Sequence, residues 1–443
     1  MLPQINRILN KYWGELFFCI YLILASSFYK ERTLFLDNAF QSFLLIQDGI
    51  IEVNANRWPA VINRVLPYLA VQLSLELKAV LYLFSVNYVL VHFGAFALVK
   101  YYLKDQKMSL ILIAFLSLPV LHGFYWSNSE LILGICFYLV FLSALRNKKI
   151  VLSTILAIIL AWVHPLILMV FVFGLALEVL NRNKHLKNLL ITSTGFLASY
   201  LVKQLFFPNW YDRMKSKEFA SHLSQYGLFD FDLGVGILWN SDLIILATLI
   251  ISLLILSMNR SWIKVLILIS FSVCYLLILD ISSPDIITDL QFYHEINLYP
   301  LFLASVLCLL DYKSESLKIP YGIIMVGLSL FLCIRVSILS ENYSDRIVWY
   351  KEISEQYDRC ILDSASFKDS PLIMEWASAY ESLIISSLYS NSKTILITDN
   401  PGKFSSNLQS DSLLTEFRKY AYKDLNIRYF TIDNTNYSFD CLD

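Results

Sequence analysis

The sequence predicts an α-helical polytopic membrane protein of about eleven spans, amino terminus inside, with a small extracytoplasmic α/β domain at its C-terminal end. Three observations lead there. Of 443 residues, 57% are hydrophobic and only 16% charged, with a mean hydropathy of +0.57. A soluble domain carries roughly a quarter of its residues as charges, so most of this chain is built for lipid. Charge is also unevenly spread: residues 1–340 hold 45 charged side chains and residues 341–443 hold 26. That is about 13% giving way to about 25%, a membrane domain over 1–340 followed by an acidic soluble domain over 341–443. Lastly, the short connections between apolar runs collect lysine and arginine. The net charge of −1 says nothing about nucleic acid, and with no basic tract to suggest one, no nucleic-acid partner is expected.

Apolar runs near 12–29, 79–99, 108–126, 130–145, 188–207, 242–258, 262–280, 296–310 and 320–338 approach the ~20 residues that cross a bilayer. The first follows a basic start, "MLPQINRILNKYWGELFFCI", with no small-residue cleavage site after it, and is expected to stay as a span. Residues 150–180 form a longer run broken by "WVHP" at 162–165. "KYYLKDQK" (100–107), "RNKK" (146–149), "NRNKHLK" (181–187), "NRSWIK" (259–264) and "DYKSESLK" (311–318) are all basic and belong on the cytoplasmic face. They share it only if 150–180 goes out and returns, turning at His164–Pro165. Each arm of that hairpin is about 15 residues, so the arms tilt or stop short of the outer surface.

Residues 30–77, 208–241 and 281–295 then face outward. The first segment contains "VINRVLPYLAVQLSLEL", too short for a span and suited to an amphipathic helix at the interface. In the tail, "CILDSA", "KTILITDN" and "IRYFTID" read as strands. "PLIMEWASAYESLIISSLYS" and "SLLTEFRKYAYKDL" read as helices, giving β-α-β-α-β order. No glycine-rich phosphate loop occurs there, so no nucleotide is assigned. The seven cysteines form no CxxC or Cys/His cluster, which argues against zinc; Cys360 and Cys441 can pair if the tail is exported.

The candidate chemistry lies on the outward segments. Asp37, in "TLFLDNAFQSFLLIQDG", puts a carboxylate at the outer end of the first span. Burying it alone is expensive, so it is either a solvated loop acid beside Lys30 and Arg32 or a partnered, functional group. Arg57 and Arg64 stand seven residues apart, two turns along one helical face; they can clamp a phosphate or snorkel to lipid headgroups. Glu130 follows His122 and Asn128 in "LHGFYWSNSELIL", a polar or aromatic turn between spans. His164 sits at the hairpin tip, either satisfied by a backbone carbonyl or functional. Asp285, Asp289, His294 and Glu295 cluster in "SSPDIITDLQFYHEINLYP" at a helix start, a place for capping or for an anion. Outward-facing acids, arginines and histidines thus ring one end of the bundle, as a site for an anionic, lipid-linked substrate would require.

The acid in "FLDNAFQSFLL", the amphipathic loop after it, the mid-chain "HP" hairpin, the late "FYHEINLYPLF" and an extracytoplasmic C-terminal domain together resemble GT-C fold glycosyltransferases. These membrane enzymes take sugars from polyprenyl-phosphate donors. The resemblance covers most of residues 10–340. It implies that Asp37 deprotonates or orients the acceptor hydroxyl, and that Arg57, Arg64, His164 and His294, with Glu295 and Glu130, bind the donor phosphate or substrate. It implies a glycan, lipid or protein acceptor, contact with membrane lipid, inversion by single displacement, and a bacterial inner (plasma) membrane location with the active site on the extracytoplasmic side. Asn38 follows Asp37 where the family often carries a second acid, and no DxD-like motif stands in the exterior loops. No cofactor is therefore expected, a divalent metal is not favoured, and the metal ligands are none. A related polysaccharide polymerase or ligase, and a transporter or flippase for lipid-linked saccharide, remain the alternative readings; the second expects internal repeats, and none is visible.

Overall fold

A computed structural model describes residues 2–120, 122–180, 186–226, 243–282, 291–310, 321–357, 360–367, 371, 375–389, 394–402, 412–413, 418 and 420–430, with side chains at 2–10, 225–226, 280, 291–294 and 412 left aside. Asp285, Asp289, the side chain of His294 and Cys441 lie outside the described residues. Helix α1 (Leu2–Ser27) leads through α2 (Tyr29–Thr33) and α3 (Leu36–Asp48) to α4 (Val65–Gln72). The bundle continues with α5 (Leu77–Ala97), α6 (Gln106–Ser117), α7 (Glu130–Arg146), α8 (Ile150–Leu160), α9 (Ile167–Leu180) and α10 (Leu186–Phe206). After α11 (Trp210–Tyr226) come α12 (Leu243–Met258), α13 (Trp262–Ser282), α14 (Gln291–Leu309) and α15 (Tyr321–Gln356). Among the described residues, four helices are long and apolar enough to cross a membrane: Leu77–Tyr102, Leu186–Phe206, Trp262–Leu279 and Tyr321–Gln356. Several shorter apolar helices stand beside them, and the chain is a helical membrane protein with a small strand region.

Proline decides where the expected helices stop. The run expected as a span over 108–126 ends at Ser117, because Pro119 and the residue before it cannot continue an α-helix. The next turn, His122–Tyr125, folds inward instead of forming an interface belt: Phe124 and Tyr125 are buried, and Tyr125 stacks on Tyr343 at 4.1 Å. The amphipathic α-helix expected after residue 60 is a 3₁₀ turn over Trp58–Arg64 followed by the short α4. Pro67 would clash with the carbonyl of Asn63 in a through-going helix, so the chain resets at Val65 and keeps Pro67 in the first turn of α4. Arg57 and Arg64 therefore do not share one α-helical face. The break between α8 and α9 falls at 161–166; α8 packs mainly on α7 and α10, α9 on α7, α13 and α14.

In the tail, β1 (Cys360–Asp363) pairs parallel with β2 (Ile395–Thr398), Cys360 opposite Ile395, and α16 (Ser378–Leu388) forms the crossover between them. The second helix and third strand expected there do not form among the described residues. A two-residue antiparallel ladder, β3 (Ser412–Leu413) with β4 (Tyr420–Ala421), and a turn over 427–430 replace them. The apolar side chains of this stretch are used sideways: Leu413, Tyr422, Leu425 and Phe430 are buried against the start of the chain. Phe43 is the hub, with ring centres 4.8 Å from Tyr380, 5.1 Å from Tyr420 and 5.5 Å from Phe430. The molecule thus has one core inside the bundle and a second shared by residues 29–81 and the tail. Helix α15 runs unbroken through residue 340, so the change in composition falls inside a helix that serves both cores.

The two ends of the bundle differ. At one end, Lys100 pairs with Glu15 at 2.7 Å, Arg146 with Glu178 at 2.5 Å, and the Lys107 Nζ donates to the Leu310 carbonyl at 3.2 Å. At the other, α1 runs out, α7 begins, the α8–α9 turn lies, and the tail docks on α3.

Candidate functional site

At the end of α1 the chain doubles back before Asp37. Arg32 and Thr33 are buried, and the Arg32 carbonyl accepts from Asn38 Nδ2 at 2.8 Å and from Ser127 Oγ at 2.9 Å. Asn38 Nδ2 also reaches the Tyr125 carbonyl at 2.7 Å. Phe35 occupies the cap position of α3 in extended backbone, and a phenyl ring cannot accept the orphan amides of a helix start. A carboxylate from the tail does so: the Leu36 amide donates to Glu381 Oε1 at 2.6 Å. Leu36 itself has φ of 41°, the left-handed region, which costs a bulky residue about 1–3 kcal/mol and persists only where the surroundings enforce it.

Asp37 follows, in the first turn of α3, half-buried. Among the described residues its carboxylate makes no hydrogen bond and no ion pair. Its charged neighbours are Glu130, Arg57 and Arg64. Arg57 Nη1 lies 3.3 Å from Glu130 Oε2, with side-chain exposures of 14% and 21%, and its guanidinium sits 5.7 Å from the Tyr211 ring centre. Arg64 is buried; Nε donates to Asn128 Oδ1 at 3.2 Å and Nη1 to the Glu52 carbonyl. Ser129 caps α7 by accepting from the Ile132 amide, which fixes Glu130 in the first turn. The Asp37 carboxyl is pushed up to about 6, first by burial and then by Glu130, against the pull of Arg57 and Arg64. Two guanidiniums beside an unpartnered carboxylate can receive an anionic group while the carboxylate takes a proton.

The other candidates divide. His164 lies within electrostatic reach of Arg57 and the largely buried Lys203, so it belongs to this end of the bundle. Its Nδ1 accepts from the Leu166 amide at 3.2 Å, which defines a neutral ring and removes it as a cationic phosphate ligand in this geometry. Glu295 is 1% exposed and accepts from the His122 amide at 3.1 Å and from the Tyr299 hydroxyl. The structure therefore uses it to hold the inward turn at 122–125 and does not bring it to Asp37. The first turn of α14 carries His294, whose side chain is outside the described residues.

Among the described residues no group of three or more His, Cys, Asp or Glu side chains is arranged to hold a metal ion. Reading the sequence missed Glu381, Arg346, Lys203 and the pair of Arg418 with Glu52. Glu381 had a signal: it is the one acid in "SAYESLIISSL", every residue of which from Ser378 to Ser386 is buried. A left-handed leucine has none. No family model, curated protein or solved structure matches the chain.

Proposed function

We propose that this protein is a membrane glycosyltransferase that moves a sugar from a polyprenyl-phosphate donor to an acceptor hydroxyl at the extracytoplasmic mouth of the bundle. The observation that supports it is Asp37: a half-buried carboxylate with no partner among the described residues, facing Arg57, Arg64 and Glu130. An acceptor hydroxyl is a poor nucleophile until a carboxylate within hydrogen-bond reach takes its proton, a contribution of about 10²–10⁴-fold. In the reading proposed, the acceptor oxygen bonds to the anomeric carbon as the proton passes to Asp37. The bond from that carbon to the phosphate oxygen breaks, and polyprenyl phosphate leaves with the electron pair. Arg57 and Arg64 carry the charge that gathers on the leaving phosphate, and one displacement inverts the anomeric centre. The basic loops at 100–107 and 146–149 lie at the opposite end, which favours the cytoplasmic side for them and the outer side for Asp37.

The test is transfer from a panel of radiolabelled polyprenyl-phosphate sugars by purified protein, wild type against Asp37→Asn. Transfer by wild type with a large loss in a folded variant supports enzyme and base together. Equal transfer by both removes Asp37 from the chemistry. Donor binding without transfer by either moves the lipid-linked-saccharide transporter ahead.

A further inference from the structure

The carboxylate of Asp37 stands one residue after a strained backbone, and that backbone is held from the far end of the chain. Glu381 divides its two oxygens. Oε1 accepts from the Leu36 amide at 2.6 Å, while Oε2 accepts from Arg346 Nε at 3.0 Å and Nη2 at 2.7 Å. Both side chains of the pair are sealed, at 2% and 0% exposed. Arg346 also donates to the Pro371 carbonyl at 3.3 Å, and its guanidinium lies 5.0 Å from the ring centre of Phe35. The pair therefore grips both residues that precede Asp37: Phe35 by its ring and Leu36 by its amide. An ion pair serving the tail alone would turn both carboxylate oxygens to the fork of the arginine. Here one is given away, to the first orphan amide of a helix that has no cap of its own.

We infer that Glu381, locked by Arg346, is a positioning residue for Asp37: the tail sets the start of α3, and so the direction of the carboxylate, from outside the bundle. This rests on the reading of Asp37 as the base. It assigns the C-terminal segment a part in the chemistry without any contact with substrate. A base held at its start by one hydrogen bond loses aim when that bond goes, and a displacement of about 1 Å can cost about 100-fold in rate.

The test compares two double variants of the full-length protein with wild type and Asp37→Asn. E381L/R346M replaces the buried pair by apolar side chains, which keeps a packed core but removes the acceptor for Leu36. E381Q/R346M removes the charges and keeps an oxygen for the Leu36 amide. Transfer kinetics and amide exchange over residues 34–40 are read on all four. Expected is a fall of about 100-fold in kcat for E381L/R346M, donor KM within about threefold, and faster exchange confined to 34–40. E381Q/R346M recovers kcat to within about fivefold of wild type and slows that exchange again. Equal kcat in the two double variants, or an unchanged exchange pattern in E381L/R346M, overturns the inference. If Asp37→Asn transfers like wild type, the base reading falls by itself, and the exchange at 34–40 still decides whether Glu381 holds the helix start.

Discussion

Two groups of arginine and carboxylate meet at the start of α3, and they are finished to different degrees. Arg346 and Glu381 are closed: every Glu381 oxygen has a donor, and both side chains are buried. The group around Asp37 is open at that residue: Arg57 pairs with Glu130 at 3.3 Å, Arg64 leans on an amide and a carbonyl, and Asp37 has no bonded partner among the described residues. A closed pair spends its charge on the protein. An open group keeps charge in hand for something that arrives. The same residue types thus give a fastening at Leu36 and a candidate site at Asp37, one residue further along the chain.

The largest effect that would sharpen this contrast is on rate. Asp37→Asn in a folded protein is expected to lower sugar transfer about 10²–10⁴-fold while leaving the thermal midpoint near wild type, measured on the same preparation. Breaking the closed pair should do the reverse. Glu381→Ala leaves Arg346 buried and uncompensated, and a loss of about 3–5 kcal/mol in denaturant unfolding is expected; a stability unchanged by that substitution would show the pair to be open after all.

Arg64→Met comes next. It removes a charge from the open group without stranding a carboxylate already paired, so donor KM should rise about ten- to hundredfold with kcat less affected. The pH profile follows. A base must be ionised, so kcat/KM should rise through about pH 6 and level off above it. Glu130→Gln removes the neighbour that opposes ionisation and should move that rise to lower pH. The smallest effect is expected for Arg418→Ala: its bond to Glu52 joins side chains 38% and 24% exposed, and such pairs are worth about 0–1 kcal/mol.

Much of this was legible in the residues. The apolar runs, the break at His164–Pro165 and the parallel strand–helix–strand of the tail each rest on local patterns that survive folding. Arg57, Arg64 and Glu130 could be named because polar groups beside apolar runs are conspicuous. Their geometry could not be, because Pro67 broke the expected amphipathic helix into a 3₁₀ stretch and a short helix. Glu295 shows the opposite failure: a carboxylate at the right end of the bundle whose oxygens already accept from a backbone amide and a phenol. The role of Glu381 was hidden for a plainer reason. It depends on Leu36, a residue 345 positions away, and no local pattern reaches that far.

That separation also sets an order of birth. Phe43 and the Leu36 amide leave the ribosome well before Tyr380, Glu381 and Phe430 are made. At about 5–20 residues per second, the interval from Leu36 to Glu381 is about 20–70 s. Throughout it α3 has neither cap nor cover on its tail-facing side, and a factor that shields apolar helices during insertion has a natural client there. Nascent chains arrested before residue 381 should be cut by protease within 36–48, and chains released at full length should be protected. Maturation of the mouth then waits on residues that lie outside the bundle and are made long after it begins to form.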